Sequence, residues 1–227
     1  MKKLFFVVIT LSVSIFYSPE ASAIGIGISG MKKDVKSIQE IRKENIVSQS
    51  LDFSCGPASM ATMLSYYFDD EVTEEEIINF LLLTTDLEKV KERKGFSLLD
   101  LKNFAKHRGY EVVGYKMDME YLASLKKPVL VPIDIKDYSH FVIFRGTRGN
   151  RVFLADPSMG NMTMRVEEFE GIWTKGIGMV LSKDGEETLD TPLKLTEKEK
   201  AVAPHPDMLK SAFSTGVLGK IYGAGEF

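Results

Sequence analysis

The sequence predicts an α+β domain in which N-terminal helices pack on an antiparallel sheet. Apolar residues recur at helical spacing between Pro57 and Arg108. From Tyr110 the period shortens to that of strands. The balance of 44% hydrophobic and 27% charged residues over 227 positions is that of a globular protein with one ordinary core.

The first helix is placed from Pro57, with Ala58, Ala61, Leu64 and Phe68 on one stripe. Proline suits a first helical turn because its missing N–H loses no bond there. Thr73 with Glu76 three residues on forms a capping box that opens a second helix through Ile77, Ile78, Phe80 and Leu81. A third spans Leu98 to Arg108, with Ser97 as N-cap and Gly109 as its stop. The strands follow as 111–115, 129–133, 140–145, 151–155, 162–166 and 177–181, with a short helix over 119–125. Such an order predicts an antiparallel meander with the helices on one side of it.

Residues 1–23 have the form of a signal peptide: Lys2 and Lys3, an apolar run from Leu4 to Phe16, then Ala21-Ser22-Ala23 as the cleavage site. A transmembrane anchor is the weaker reading, since a span needs about 20 apolar residues, and Thr10, Ser12, Ser14 and Pro19 interrupt this run. The mature chain is then expected outside the cytoplasm, in the periplasm or alternatively fully secreted, with no integral span after cleavage. Losing Lys2, Lys3 and Glu20 leaves 27 basic against 31 acidic side chains, a net charge of −4. That is no electrostatic footprint for nucleic acid.

The expected layout continues with a flexible N-terminal segment (24–36), the folded domain (37–182) and a polar linker with a C-terminal amphipathic helix (183–227). That helix is read from Met208, Leu209, Ala212, Phe213, Val217, Leu218 and Ile221. It either packs back on the domain or meets a partner or a membrane surface.

An exported protein usually pairs its thiols, yet this chain has a single cysteine, Cys55. Such a thiol is buried and inert, bridges two molecules, or is kept free because it is used. Its place at the mouth of the Pro57 helix favours use, since the positive helix end and a nearby imidazolium lower a thiol pKa. Gly56 lets a substrate backbone approach, and Gln49, six residues before the cysteine, is placed to join the Cys55 N–H as an oxyanion hole.

The three histidines are His107, His140 and His205. His107 ends a helix, where the dipole alone accounts for it. His205 lies between two prolines in the tail. His140 opens a strand and can face a cleft; a structurally bonded histidine is the alternative. A hairpin about Gly146–Asn150, paired symmetrically, sets His140 opposite Asp156 at the separation a carboxylate needs to orient an imidazole. That register also opposes Arg145 to Arg151, an unfavourable pair that a bulge would relieve. Taken alone, Asp156 before Pro157 is equally a turn aspartate.

Gln49-x5-Cys55-Gly56-Pro57-Ala58, then His140-Phe141-Val142, then Ala155-Asp156-Pro157 and a later Trp173, resembles the C39 peptidases over roughly residues 37–182. The resemblance implies a papain-like cysteine peptidase fold, a triad of Cys55, His140 and Asp156, Gln49 in the oxyanion hole, and cleavage after a double glycine. Most such domains are cytoplasmic and fused to a transporter. This chain carries no Walker A motif, so ATP is not expected, nor is any metal or other cofactor. The closer likeness is to stand-alone exported C39-like proteins, including those that accompany secretion of functional amyloid. Expected partners are therefore a co-exported peptide or protein substrate and a secretion-system component. A binding or chaperone module that uses the cleft without chemistry is the alternative, and acyl or peptidyl transfer by the same triad is a third reading.

Overall fold

The computed structural model describes residues 36–135, 138–184, 191–197 and 199. The expected signal peptide, the glycine-rich segment up to residue 35, His205 and the C-terminal helix lie outside these residues. Five helices come first: α1 (Ile38–Arg42), α2 (Cys55–Tyr67), α3 (Glu74–Thr84), α4 (Leu87–Arg93) and α5 (Leu98–His107). Strand β1 (Glu111–Lys116), helix α6 (Met119–Ser124), β2 (Val129–Ile135), β3 (Tyr138–Arg148), β4 (Arg151–Asp156), β5 (Gly160–Arg165), α7 (Val166–Ile172) and β6 (Ile177–Ser182) follow.

Thr73 and Glu76 close the capping box that starts α3, and Ser97 with Asp100 does the same for α5. Three helices go beyond the sequence reading. Ser37 and Glu40 form a capping box at α1, Asp86 caps α4, and Val166 opens α7 where a strand end is expected.

All six strands pair antiparallel, in the order β1-β6-β2-β3-β4-β5. The arrangement is not a meander. The connection through α6 is a crossover that sets β1 and β2 in the same direction, and β6 fills the place between them. Nor do helices cover one face only. Met60, Leu64, Ile77, Leu101 and Ile143 join α2, α3 and α5 to one face, while Leu122, Val131, Phe144, Phe169 and Trp173 join α6 and α7 to the other. Alternate residues of β2 and β3 thus enter different clusters, which is why both strands read as unbroken apolar runs.

The β3–β4 hairpin departs from the symmetric register. Ile143 pairs with Ala155 and Phe144 with Leu154; Arg145 is then bulged out, and Gly146, Thr147 and Arg148 pair with Phe153, Val152 and Arg151. Near the site the strands sit two residues from the expected register. A shift of two keeps every side chain on its face. The like-charge pair falls at Arg148 and Arg151 instead of Arg145 and Arg151. Freed by the bulge, the Arg145 guanidinium donates to the carbonyls of Leu193 and Lys194 and to the Glu199 carboxylate. Leu193, in the stretch expected to be a polar linker, is buried in the α2-side core.

Candidate active site

Helix α2 points its first turn at the open edge of β3. The Pro132–Phe141 pair belongs to the β2–β3 ladder, whereas β4 pairs with β3 only from Ile143 onward. Phe141 therefore has backbone groups left for α2: its carbonyl accepts from Ser59 Oγ at 3.1 Å, and its N–H donates to the Cys55 sulfur. The sulfur is thus held beside the edge of the sheet, where side chains at the start of β3 reach it. Pro132, without an N–H, fits a strand position whose partner has its polar groups turned elsewhere.

The helix start is left uncapped. Ser54, in the N-cap position, turns its hydroxyl back to the Leu51 carbonyl at 2.8 Å, and the first turn holds no acidic side chain. Pro57 has no N–H, so the Cys55 and Gly56 amides carry the positive end of the helix. A developing negative charge beside Cys55 meets donors that no side-chain cap occupies.

His140 hydrogen-bonds Cys55 on one side, and its Nε2 lies 3.0 Å from Asp156 Oδ1 on the other. Nδ1 is the ring nitrogen left for the sulfur. Asp156 Oδ1 also accepts from the Ser158 and Met159 amides at 2.7 and 3.0 Å. Asp156 thus both braces the turn after Pro157 and faces the imidazole. Because the register is shifted, the two side chains are diagonal neighbours on one face, still within reach.

Burial pushes the Cys55 thiol up, but the His140 hydrogen bond, the Phe141 amide and the imidazolium charge outweigh it and hold the thiol below its usual value. Burial likewise pulls His140 down, and Asp156 with Cys55 raises it to about 9. Asp156, opposed by burial but favoured by His140 and the two amides, lies below the usual carboxylate range. All three shifts favour a thiolate–imidazolium pair.

Gln49 is tied to the same region through its backbone, whose N–H donates to Pro157 O at 3.0 Å. Its amide Nε2 donates to Leu51 O at 3.1 Å, with a second N–H to spare. Three anchors fix the loop from Gln49 to Ser54: Pro157, the buried Glu74 carboxylate on the Ser50 amide, and Tyr138, whose hydroxyl donates to Asp52 O at 2.7 Å. Tyr138 joins the site although no sequence motif marked it out. Its oxygen is also 3.9 Å from Cys55 Sγ, and the available signal was its place two residues before His140 on the same strand face. His107 ends α5 as expected and lies against Phe80 with the rings tilted at 32°. Trp173 is a core residue, stacked on Phe169 and donating to Ile177 O. Among the described residues no cluster of His, Cys, Asp or Glu has the form of a metal site, and no helix is long and apolar enough to cross a membrane.

The model of the peptidase C39 family matches residues 43–186. The chain is 36% identical over 171 residues to the probable functional amyloid protease FapD of Pseudomonas fluorescens, covering 74% of this chain and 75% of that protein. It is 33% identical, with the same coverage, to FapD of Pseudomonas aeruginosa. Among solved structures, the peptidase domain of Streptococcus ComA, a bi-functional ABC transporter of a quorum-sensing pathway, superposes with a TM-score of 0.52 at 24% identity, covering 60% of this chain and 96% of that domain. The double glycine motif protease from an AMS/PCAT transporter, solved with its leader peptide, gives 0.50 at 25%, covering 60% and 89%. These likenesses bear out the papain-like α+β fold expected from the sequence. The chain belongs to the peptidase C39 family and is a cysteine peptidase.

Proposed function

We propose that Cys55, His140 and Asp156 are the catalytic triad, that Gln49 and the Cys55 N–H form the oxyanion hole, and that the enzyme cuts after small, Gly-Gly-like residues in an exported protein or leader. The single observation that carries this reading is the hydrogen-bonded line from Asp156 through His140 to Cys55 at the uncapped start of α2.

His140 takes the thiol proton, and the sulfur attacks the scissile carbonyl carbon while the C=O electron pair moves to oxygen. Amide donors hold that oxyanion. The C–N bond then breaks, His140 returns the proton to the leaving amine, and water releases the acyl group from sulfur by the same route. Asp156 keeps the imidazole oriented and stabilises its cation throughout.

The substrate class is supported by one structural relative, a double glycine motif protease in complex with its leader peptide. Residence outside the cytoplasm is supported by the Lys2 to Ala23 pattern and by the FapD relatives, described as functional amyloid proteases. Incubating the purified chain with Gly-Gly peptides from co-exported proteins tests the reading. Wild type is expected to yield a single cut after glycine and Cys55→Ala none; equal product from both defeats the proposal. Recovery of the native protein from the periplasmic fraction with Ile24 as first residue tests its export.

A further inference from the structure

Tyr138 stands between the two walls of the site. It starts β3 on the same face as His140, and its hydroxyl crosses to the carbonyl of Asp52, on the loop that delivers Cys55, at 2.7 Å. On the way it passes 3.9 Å from Cys55 Sγ, and Cys55 is left only 3% exposed. The contact with Asp52 is itself exposed at the rim, so the phenol is a bar across the approach to the sulfur and not part of the core. A substrate residue beside Cys55 must share this space with a ring fixed at both ends.

We propose that Tyr138 is a specificity-determining residue: its ring, latched to Asp52, leaves room on the acyl side of the scissile bond only for a residue without a Cβ. The inference rests on the peptidase reading above and gives that site a physical reason to prefer glycine. A close steric boundary of this kind discriminates one methyl group by about 10- to 200-fold.

The test reads access to Cys55 with thiol reagents that need no peptide. Rates with iodoacetamide, which is slender, and with a neutral dipyridyl disulfide, which is bulky and aromatic, are measured on wild type, Tyr138→Phe and Tyr138→Ala. In Tyr138→Ala the disulfide rate is expected to rise about tenfold relative to the iodoacetamide rate. Tyr138→Phe, which keeps the ring and loses the latch, should raise the ratio about threefold, and it serves if the alanine variant does not fold. In parallel, Tyr138→Ala should lower the preference for Gly over Ala at the acyl position of a peptide by about tenfold. An unchanged reagent ratio, or an equal change with both reagents, overturns the proposal. Wild type that ignores Gly-Gly peptides while the reagent ratio responds as stated defeats the substrate reading and leaves the latch standing.

Discussion

His140 and Asp156 meet across the sheet as diagonal neighbours, with Nε2 3.0 Å from Oδ1 although their strands sit two residues away from direct opposition. The carboxylate bridges the gap because Oδ1 is held in place by the Ser158 and Met159 amides. The acid is built into the turn that follows β4, and the imidazole leans toward it.

Asp156→Asn tests that arrangement. The amide oxygen can still accept from the turn amides, so the fold is expected to persist, but the charge that stabilises the imidazolium is gone. A kcat lower by about 10²- to 10⁴-fold with little change in KM is expected. Steady-state kinetics together with a melting curve check it, and a change confined to KM would contradict it.

The pH profile follows from the signs of two shifts. The Cys55 thiol lies below its usual value, so the thiolate is gained as pH rises through that lowered pKa; His140 is raised to about 9, so the imidazolium is lost only as pH rises past that value. The reactive ion pair is populated between the two, and kcat/KM should be bell-shaped with its alkaline limb near 9. In Asp156→Asn the alkaline limb should move to lower pH, because the hydrogen bond and charge that raise His140 are removed. Rates measured across the range report both limbs, and iodoacetamide labelling of Cys55, which follows the thiolate, reports the acid limb.

Gly160 pairs with Asp156 at φ +85°, and an added Cβ would lie 2.5 Å from the Arg42 carbonyl oxygen. Gly160→Ala adds a left-handed strain of about 1–3 kcal/mol to that collision. Thermal denaturation should show a loss of at least this order. Activity should fall further than stability predicts, since the strain falls on the turn that holds Asp156.

The Arg145 side chain is only 4% exposed and fastens Leu193, Lys194 and Glu199, while also donating to Asn161 Oδ1. Asn161 in turn holds the Arg42 and Glu44 carbonyls. Arg145→Met should cost about 2–3 kcal/mol, the size of lost hydrogen bonds to a charged group. Limited proteolysis should then cut after Lys194, and an uncut variant with wild-type melting would show that the anchor is not needed.

Much of this was legible because it is local. The Thr73 and Ser97 boxes, the Pro57 helix and the strands depend on residues within a few positions of one another, and the structure repeats them with ends moved by one to three residues. The Ser37 box was equally local, but α1 is only five residues long and has no buried residue, too short for a helical period to show. β6 between β1 and β2 could not be read, because pairing of distant strands depends on which crossover leaves a place open. The Arg145 bulge was equally hidden, since its partners lie about fifty residues on, in a stretch that reads as polar.

At the site, the candidates were legible without the structure: one thiol at a helix mouth, one histidine at a strand start, and an aspartate on the facing strand. These follow from residue type and period, and a register error of two left the face unchanged. The distances, the Phe141 amide on the sulfur and the reach of Tyr138 from β3 to Asp52 came only with tertiary packing. Each of those joins segments more than ten residues apart, and such contacts are settled by how the helices close over the sheet edge rather than by any short stretch of chain.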